Sequence, residues 1–346
     1  MRPLSPEAHS TLVLRQLLDE AIWIQQICNM KSALLISNIT EEWVRSFRRW
    51  HLEFFVISTT VFTLATLIAN FILLACIYLS RALRKETRYL LVANTLIADA
   101  LFLIFHLATE LCNATGVVIS WTVCELVTTV TATAYCAAIC SITLMVADTF
   151  AAVRWPLKYR ELLPPARTHF ILLGTWLFAA TYPFTLVILM INDSKQSEEV
   201  SMCLVLLYLG ILKTSKAGDH LFFLVCAIFC AMLILYCYIR LYMVTKTQGI
   251  WQNRFSRARV TLLVHGILLL LYFAPGFVFY AEVILFHGKS ISQEVQVWIS
   301  TINMSVFMLL PRACAPYLYG LRYREIHEPL MQMLFHPRRL GQISTQ

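Results

Sequence analysis

The chain has 346 residues, of which 59% are hydrophobic and 14% charged, and it carries a formal net charge of +8. A soluble globular domain carries about 25% charged residues, so the composition excludes an ordinary soluble protein. The basic residues fall in short gaps between apolar stretches, which excludes a nucleic-acid-binding surface as the source of the charge.

Residues 1–51 lack the basic start and apolar core of a signal peptide. Leu14, Leu17, Leu18, Ala21 and Ile22 have helical spacing, and either a short amphipathic helix or a mobile tail accounts for them. Seven apolar stretches follow, at Leu52–Leu79, Tyr89–Cys112, Thr122–Val153, His169–Ile191, Leu221–Val244, Val260–Phe286 and Val297–Tyr319. A bilayer core about 30 Å thick needs about 20 apolar residues per helix, and lipid cannot satisfy the open edge of a sheet. The expected fold is an all-α membrane protein: a seven-transmembrane helix bundle over residues 52–320 and a short amphipathic helix and tail over 321–346.

Charge in the gaps sets the expected orientation. Arg81, Arg84, Lys85 and Arg88 follow the first span, Arg154, Lys158, Arg160 and Arg167 the third, and Lys246, Arg254, Arg257 and Arg259 the fifth; Arg322, Arg324, Arg338 and Arg339 follow the seventh. The opposite gaps hold Lys195, Lys213, Lys216 and Lys289. Sixteen against four is a positive-inside bias that predicts an extracellular N-terminus and a cytoplasmic C-terminus. Arg45, Arg48 and Arg49 argue the other way. The sequons at Asn38, Asn113 and Asn192 fall on the predicted outer side, making these three asparagines the expected glycan sites of a plasma-membrane protein. A fourth, at Asn303, lies inside the seventh span and is expected to be unused.

Most of the eleven cysteines lie inside spans and act as small apolar residues; Cys28, Cys112, Cys124 and Cys203 remain for an oxidising face. Ionisable groups deep in a span cost about 2.5–3.5 kcal/mol on insertion scales, so each needs a reason. Asp99, His106 and Glu110 share one face of the second span, and Ser305, Arg312, Pro316 and Tyr319 one face of the seventh. Asp99 lies about ten residues, roughly 15 Å, from the inner end of its span, and Arg312 about eight, roughly 12 Å. Similar depth predicts a buried Asp99–Arg312 ion pair; the alternative is separate hydration of each in a polar cavity. Glu110, Glu125 and Glu282 near the outer ends, with Thr128, Thr131, Tyr135 and Tyr280, form the candidate rim and wall of a ligand cavity. Groups reaching toward interfacial water are the other reading. Pro183, Pro275 and Pro316 predict kinks in helices four, six and seven.

In chain order, Asn70, Leu96-Ile97-Ala98-Asp99, Trp121 before Cys124, Asp148 with Pro156-Leu157 and Tyr159, Trp176, Pro275 and Pro316-Tyr317-Leu318-Tyr319 form a set. With these marks the chain resembles the rhodopsin-like G-protein-coupled receptors from Leu52 to about Leu334. The basic stretch from Arg322 to Leu334 is similar to their surface-lying inner helix. The runs Gly249-Ile250-Trp251, Ser256-Arg257-Ala258-Arg259 and Leu309-Leu310-Pro311-Arg312 resemble an orphan, odorant-receptor-131-like branch of that family.

The resemblance implies a Cys124–Cys203 disulfide and a conformational switch built on Asp148, Thr149, Phe150, Pro275, Pro316 and Tyr319. It also implies an unidentified extracellular ligand and a heterotrimeric G protein or arrestin as partners, with no cofactor. Departures from the family pattern change the expectation. The family's triplet has an Arg that pairs with its acidic neighbour at rest and meets the G protein when released, and Thr149 can do neither. Ala138, Pro311 and Arg312 replace sodium ligands, so the Arg312 guanidinium is expected to fill the sodium site. A non-signalling or chaperone-like partner of another receptor is the alternative function. Enzymes are excluded by the absence of His-Glu-x-x-His, Gly-x-Ser-x-Gly and phosphate-loop patterns.

Overall fold

The computed structural model describes residues 50–115, 117, 119–155, 159, 164–193, 199–200, 203, 217–247, 254–287 and 293–322. Its helices are α1 (Trp50–Leu79), α2 (Thr87–Thr115), α3 (Trp121–Arg154), α4 (Pro165–Asp193), α5 (Ala217–Thr247), α6 (Arg254–His287), α7 (Gln293–Ile302) and α8 (Leu310–Arg322). A 3-10 turn at Leu83–Lys85 joins α1 to α2, and a π-helical turn at Asn303–Phe307 joins α7 to α8. Two short strands, β1 (Ile119–Ser120) and β2 (Glu199–Val200), pair antiparallel beside the start of α3. Taking α7, the π turn and α8 as one span, the fold is a seven-transmembrane helix bundle.

Four stretches among the described residues are long and apolar enough to cross a membrane by length and composition: Val56–Leu79, Thr87–Thr115, Thr122–Ala152 and Leu263–Glu282. The outer surface carries large apolar side chains such as Val61, Phe170, Leu177, Phe229 and Leu270, each more than half exposed. Water would penalise such a continuous apolar skin, whereas acyl chains do not. Inside, α2 and α3 form the axis of the bundle. Ala134, Ala137, Ala138 and Ser141 recur at helical spacing on α3 with no exposed surface, and Ala98 of α2 is equally enclosed. Small residues let two backbones approach closely where no hydrophobic force drives helices together.

The helices run past the apolar stretches read from sequence, because a helix continues wherever its backbone bonds are made, in or out of hydrocarbon. Two sequons are affected. Asn113 lies in the last turn of α2 and Asn192 in that of α4, rather than in the gaps between helices. The seventh span is also interrupted, which hydropathy does not reveal. Pro311 has no N–H to give and its ring crowds the carbonyl four residues back. Pro is well placed in a first helical turn, and a new helix starts there, with Pro311 as the second residue of α8. The preceding turn widens to the π form, Met308 N–H donating to the Asn303 carbonyl at 2.9 Å. Pro183, Pro275 and Pro316 sit inside α4, α6 and α8. Asn38, Cys28 and the stretch after Arg322 lie outside the described residues, as do the side chains of Asn192, Arg254, Arg257 and Arg259.

Candidate functional site

Four helices converge on Asp99. The carboxylate is fully buried on α2, and Arg312 of α8 is the largest fully buried side chain among the described residues. Arg312 Nε lies 3.6 Å from Asp99 Oδ1. The other carboxylate oxygen accepts a hydrogen bond from the Tyr272 hydroxyl of α6, at 2.6 Å. Tyr135 of α3 closes the ring by donating its hydroxyl to the Tyr272 carbonyl. The guanidinium is held on its other sides as well. Its Nη1 donates to the Met308 carbonyl in the turn before α8. Its plane stands over Phe102, 3.3 Å from the ring centroid, with the Tyr135 and Tyr272 rings each at 5.3 Å. Ring faces carry negative potential, so three aromatics and one carboxylate share the task of solvating this cation.

Below the Pro275 position the helix-six backbone gains a second attachment. Asn303, buried in the π turn, donates its Nδ2 to the Pro275 carbonyl at 3.1 Å. A proline inside a helix frees a carbonyl one turn back and disturbs its neighbours. Here α3 and the π turn supply donors to the carbonyls of Tyr272 and Pro275 on either side of that disturbance. This engages the Asn303 carboxamide inside the bundle.

The expected ligand-wall residues divide into separate groups. Glu110 faces α1 and the π turn: it accepts from Thr59 at 3.2 Å and lies 3.8 Å from His106, whose ring nitrogen is 3.2 Å from the Met304 carbonyl. Thr128 and Thr131 are buried on one face of α3, each donating to the carbonyl one turn back. Thr128 also sits under the disulfide, 3.9 Å from Cys203 Sγ. Tyr135 belongs to the Asp99 cluster instead. Glu282 is buried while Tyr280 is 39% exposed. Two residues apart on a helix, these two cannot face one cavity.

At one end of the bundle Cys124, in the first turn of α3, is bonded to Cys203, with Cα atoms 5.7 Å apart. Cys112 is a free thiol. Cys203 is buried, and its backbone N–H and carbonyl are both engaged by the Asn113 carboxamide, at 2.8 and 3.0 Å.

The opposite end holds the switch triplet. Asp148 is buried and accepts a 2.6 Å hydrogen bond from Tyr159. Burial, then the Asp148 charge, push the Tyr159 phenol above its ordinary pKa, so it stays a donor. Thr149 turns its hydroxyl back to the Met145 carbonyl of its own helix. Phe150 stacks edge-on with Trp155 and with Tyr236 of α5, both at 6.1 Å. Arg88, at the start of α2, is the cation whose charge acts on Asp148. Tyr319 is buried on α8 with its ring 6.3 Å from that of His265 on α6, and Pro316 is buried nearby on α8.

Sequence reasoning missed Tyr272, Phe102 and Asn94 as site residues. Phe102 was accessible, being one turn from Asp99 on the same face; Tyr272 and Asn94 depend on helix rotations that no local pattern encodes. Asn94 donates to Ser141 of α3 at 2.7 Å and accepts from the Trp176 indole of α4 at 2.9 Å, binding three helices through one side chain.

The sequence profile described as 7 transmembrane receptor (rhodopsin family) matches residues 69–330. A human protein, the Probable G-protein coupled receptor 148, is 33% identical over 269 residues, which make up 76% of this chain and 77% of the relative. The chain belongs to the rhodopsin family of seven-transmembrane receptors, and so is a multi-pass membrane receptor and not an enzyme.

Proposed function

We propose that this receptor binds an extracellular ligand and answers through a latch made of Asp99, Arg312, Tyr272 and Tyr135. The observation that carries this reading is the division of one buried carboxylate between two helices: Asp99 holds Arg312 of α8 with one oxygen and Tyr272 of α6 with the other. Any outward movement of α6 must part Tyr272 from Asp99. The ligand enters at the disulfide end among helices three, five, six and seven and shifts the population toward a state with α6 displaced. Thr128, Thr131 and Glu282 are assigned to that approach and Tyr135 to its floor as part of the latch, whereas Glu110, turned to α1, lies outside it. The positive-inside bias supports an N-terminus outside the plasma membrane and a C-terminus in the cytoplasm. Glycans are then assigned to Asn38 and Asn192.

The Arg312 guanidinium takes the position that a sodium ion would hold beside Asp99, so the latch is independent of sodium. The human relative's name supports a heterotrimeric G protein as partner, with arrestin the other candidate for a receptor of this family, and Thr149 makes that coupling weak. A distance probe between the inner ends of α2 and α6 tests the latch without relying on signalling. Tyr272→Phe should lengthen the mean distance relative to wild type at equal expression; an unchanged distribution would overturn the latch.

A second reading, a non-signalling partner of another receptor, is favoured by the Thr149 hydroxyl, which is spent on its own helix. Thr149→Arg separates the two. A rise in basal G-protein activation supports a receptor with weakened coupling, and no activity with any transducer supports the partner.

A further inference from the structure

Asn113-Ala114-Thr115 has the form of a glycan acceptor, yet the Asn113 carboxamide is already committed at both ends. Oδ1 accepts the N–H of Cys203 at 2.8 Å, and Nδ2 donates to the carbonyl of the same residue at 3.0 Å. The Cys203 N–H can only donate, so it fixes which end of the carboxamide is oxygen. A two-point contact of this kind uses the edge of the amide on which the C=O and one N–H lie side by side.

Glycosylation would replace one Nδ2 hydrogen with a bond to the sugar carbon and make a secondary amide. Such amides strongly prefer the trans form, in which the carbon substituent lies on the side of the oxygen and the remaining N–H points away from it. The sugar would therefore occupy the edge that now holds Cys203. The sequon is also helical, its Thr115 hydroxyl donating to the Leu111 and Cys112 carbonyls within α2 at 2.8 and 3.2 Å. On the other side of the contact, Cys203 is buried, bonded to Cys124 and capped by Thr128. Among the described residues, Asn113 ties Cys203 to α2.

We infer that Asn113 is a positioning residue that seats Cys203 for its disulfide with Cys124, and that this sequon carries no glycan. The contact restricts the Cys203 backbone before the sulfur bond closes, so it favours the oxidised form over the free thiols.

Two measurements test this on the full-length receptor. In the first, mobility is compared before and after peptide N-glycosidase treatment. Thr115→Ala destroys the sequon and leaves the Asn113 side chain in place, and it should match wild type in mass. Loss of one glycan's mass would overturn the inference. In the second, purified receptor is equilibrated in glutathione redox buffers, and the Cys124–Cys203 disulfide is scored by thiol labelling. Asn113→Ala should lower the equilibrium constant for disulfide formation by about five-fold or more, the scale of at least one lost hydrogen bond. Asn113→Asp, which keeps the acceptor but turns a bare oxygen toward the Cys203 carbonyl, should do no better. Thr115→Ala should leave the constant unchanged. Equal constants for wild type and both Asn113 variants would refute the positioning role, whichever side of the membrane this end faces.

Discussion

Helices two to four and helix six are held to the bundle in different ways. The α2–α4 side is joined along its length: small residues of α3 pack against α2, Asn94 bridges Ser141 and Trp176, and Thr87 shares a hydrogen bond with Thr168 at 3.0 Å. Helix six has a buried face too, with Leu268, Leu269 and Phe273, and at the level of Tyr272 and Pro275 three polar attachments join it to α2, α3 and the π turn. Beside it, α5 shows Cys237 as its buried side chain among those described and turns Val225, Phe229, Met232 and Tyr236 outward. Broad packing resists every direction of movement, whereas a group of bonds at one level resists only until they part. In the proposed function the signal-bearing rearrangement is accordingly assigned to the α5–α6 side.

The largest test breaks the latch at its charge. Arg312→Ala leaves the Asp99 carboxylate buried without its cation, a change that costs about 3–5 kcal/mol. Thermal unfolding in detergent and surface display should both show a heavy loss. Pairing Arg312→Met with Asp99→Asn removes both charges and keeps an acceptor for Tyr272, so most of the stability should return. A double variant no better than the poorer single one would mean that the two groups are solvated separately.

Next comes Tyr272→Phe, which deletes a hydrogen bond to a charged acceptor worth about 1.5–3 kcal/mol. Its defining effect is on the position of α6 rather than on stability alone. Asn94→Ala makes the contrast. It strands the Trp176 indole N–H and removes the partner of Ser141, at a cost of about 1–3 kcal/mol, while the α2–α6 distance should stay as in wild type. If Asn94→Ala also freed helix six, the two sides of the bundle would not be mechanically distinct.

The bundle was legible because each span must satisfy its own backbone and cover itself with apolar side chains, and both demands are local. Depth along a helix is local as well, which is why Asp99 and Arg312 could be set at one level from residue spacing. Rotation about a helix axis is only half local. It picks the inward face, but not which of several inward residues meets a partner on another helix, so the partners of Tyr272 and Asn94 could not be read from it. Tyr280 and Glu282 were grouped by their common height, and their different faces separate them. Pro311 was visible in the sequence, read as a changed ligand position when its backbone effect, a helix restart after a π turn, is what brings the Arg312 side chain in beside Phe102. Asn113 fits a three-residue pattern whose competitor, the Cys203 backbone, lies ninety positions away.

The smallest expected effect lies at the end opposite the disulfide, where Tyr159 donates to Asp148. Tyr159→Phe removes one hydrogen bond at a half-buried site and should cost about 0.5–1.5 kcal/mol. The pH dependence identifies the contact. The folded receptor holds the phenol above its ordinary pKa, by burial first and then by the adjacent carboxylate, whereas an unfolded tyrosine titrates near about 10. Above that value the unfolded chain releases the proton and the folded one retains it, so stability falls as pH rises. The contribution should be complete below about pH 10 and lost as pH climbs through the raised folded value. Unfolding of wild type and Tyr159→Phe between neutral and strongly alkaline pH should therefore converge. Two parallel curves would mean that the hydroxyl is not held by Asp148.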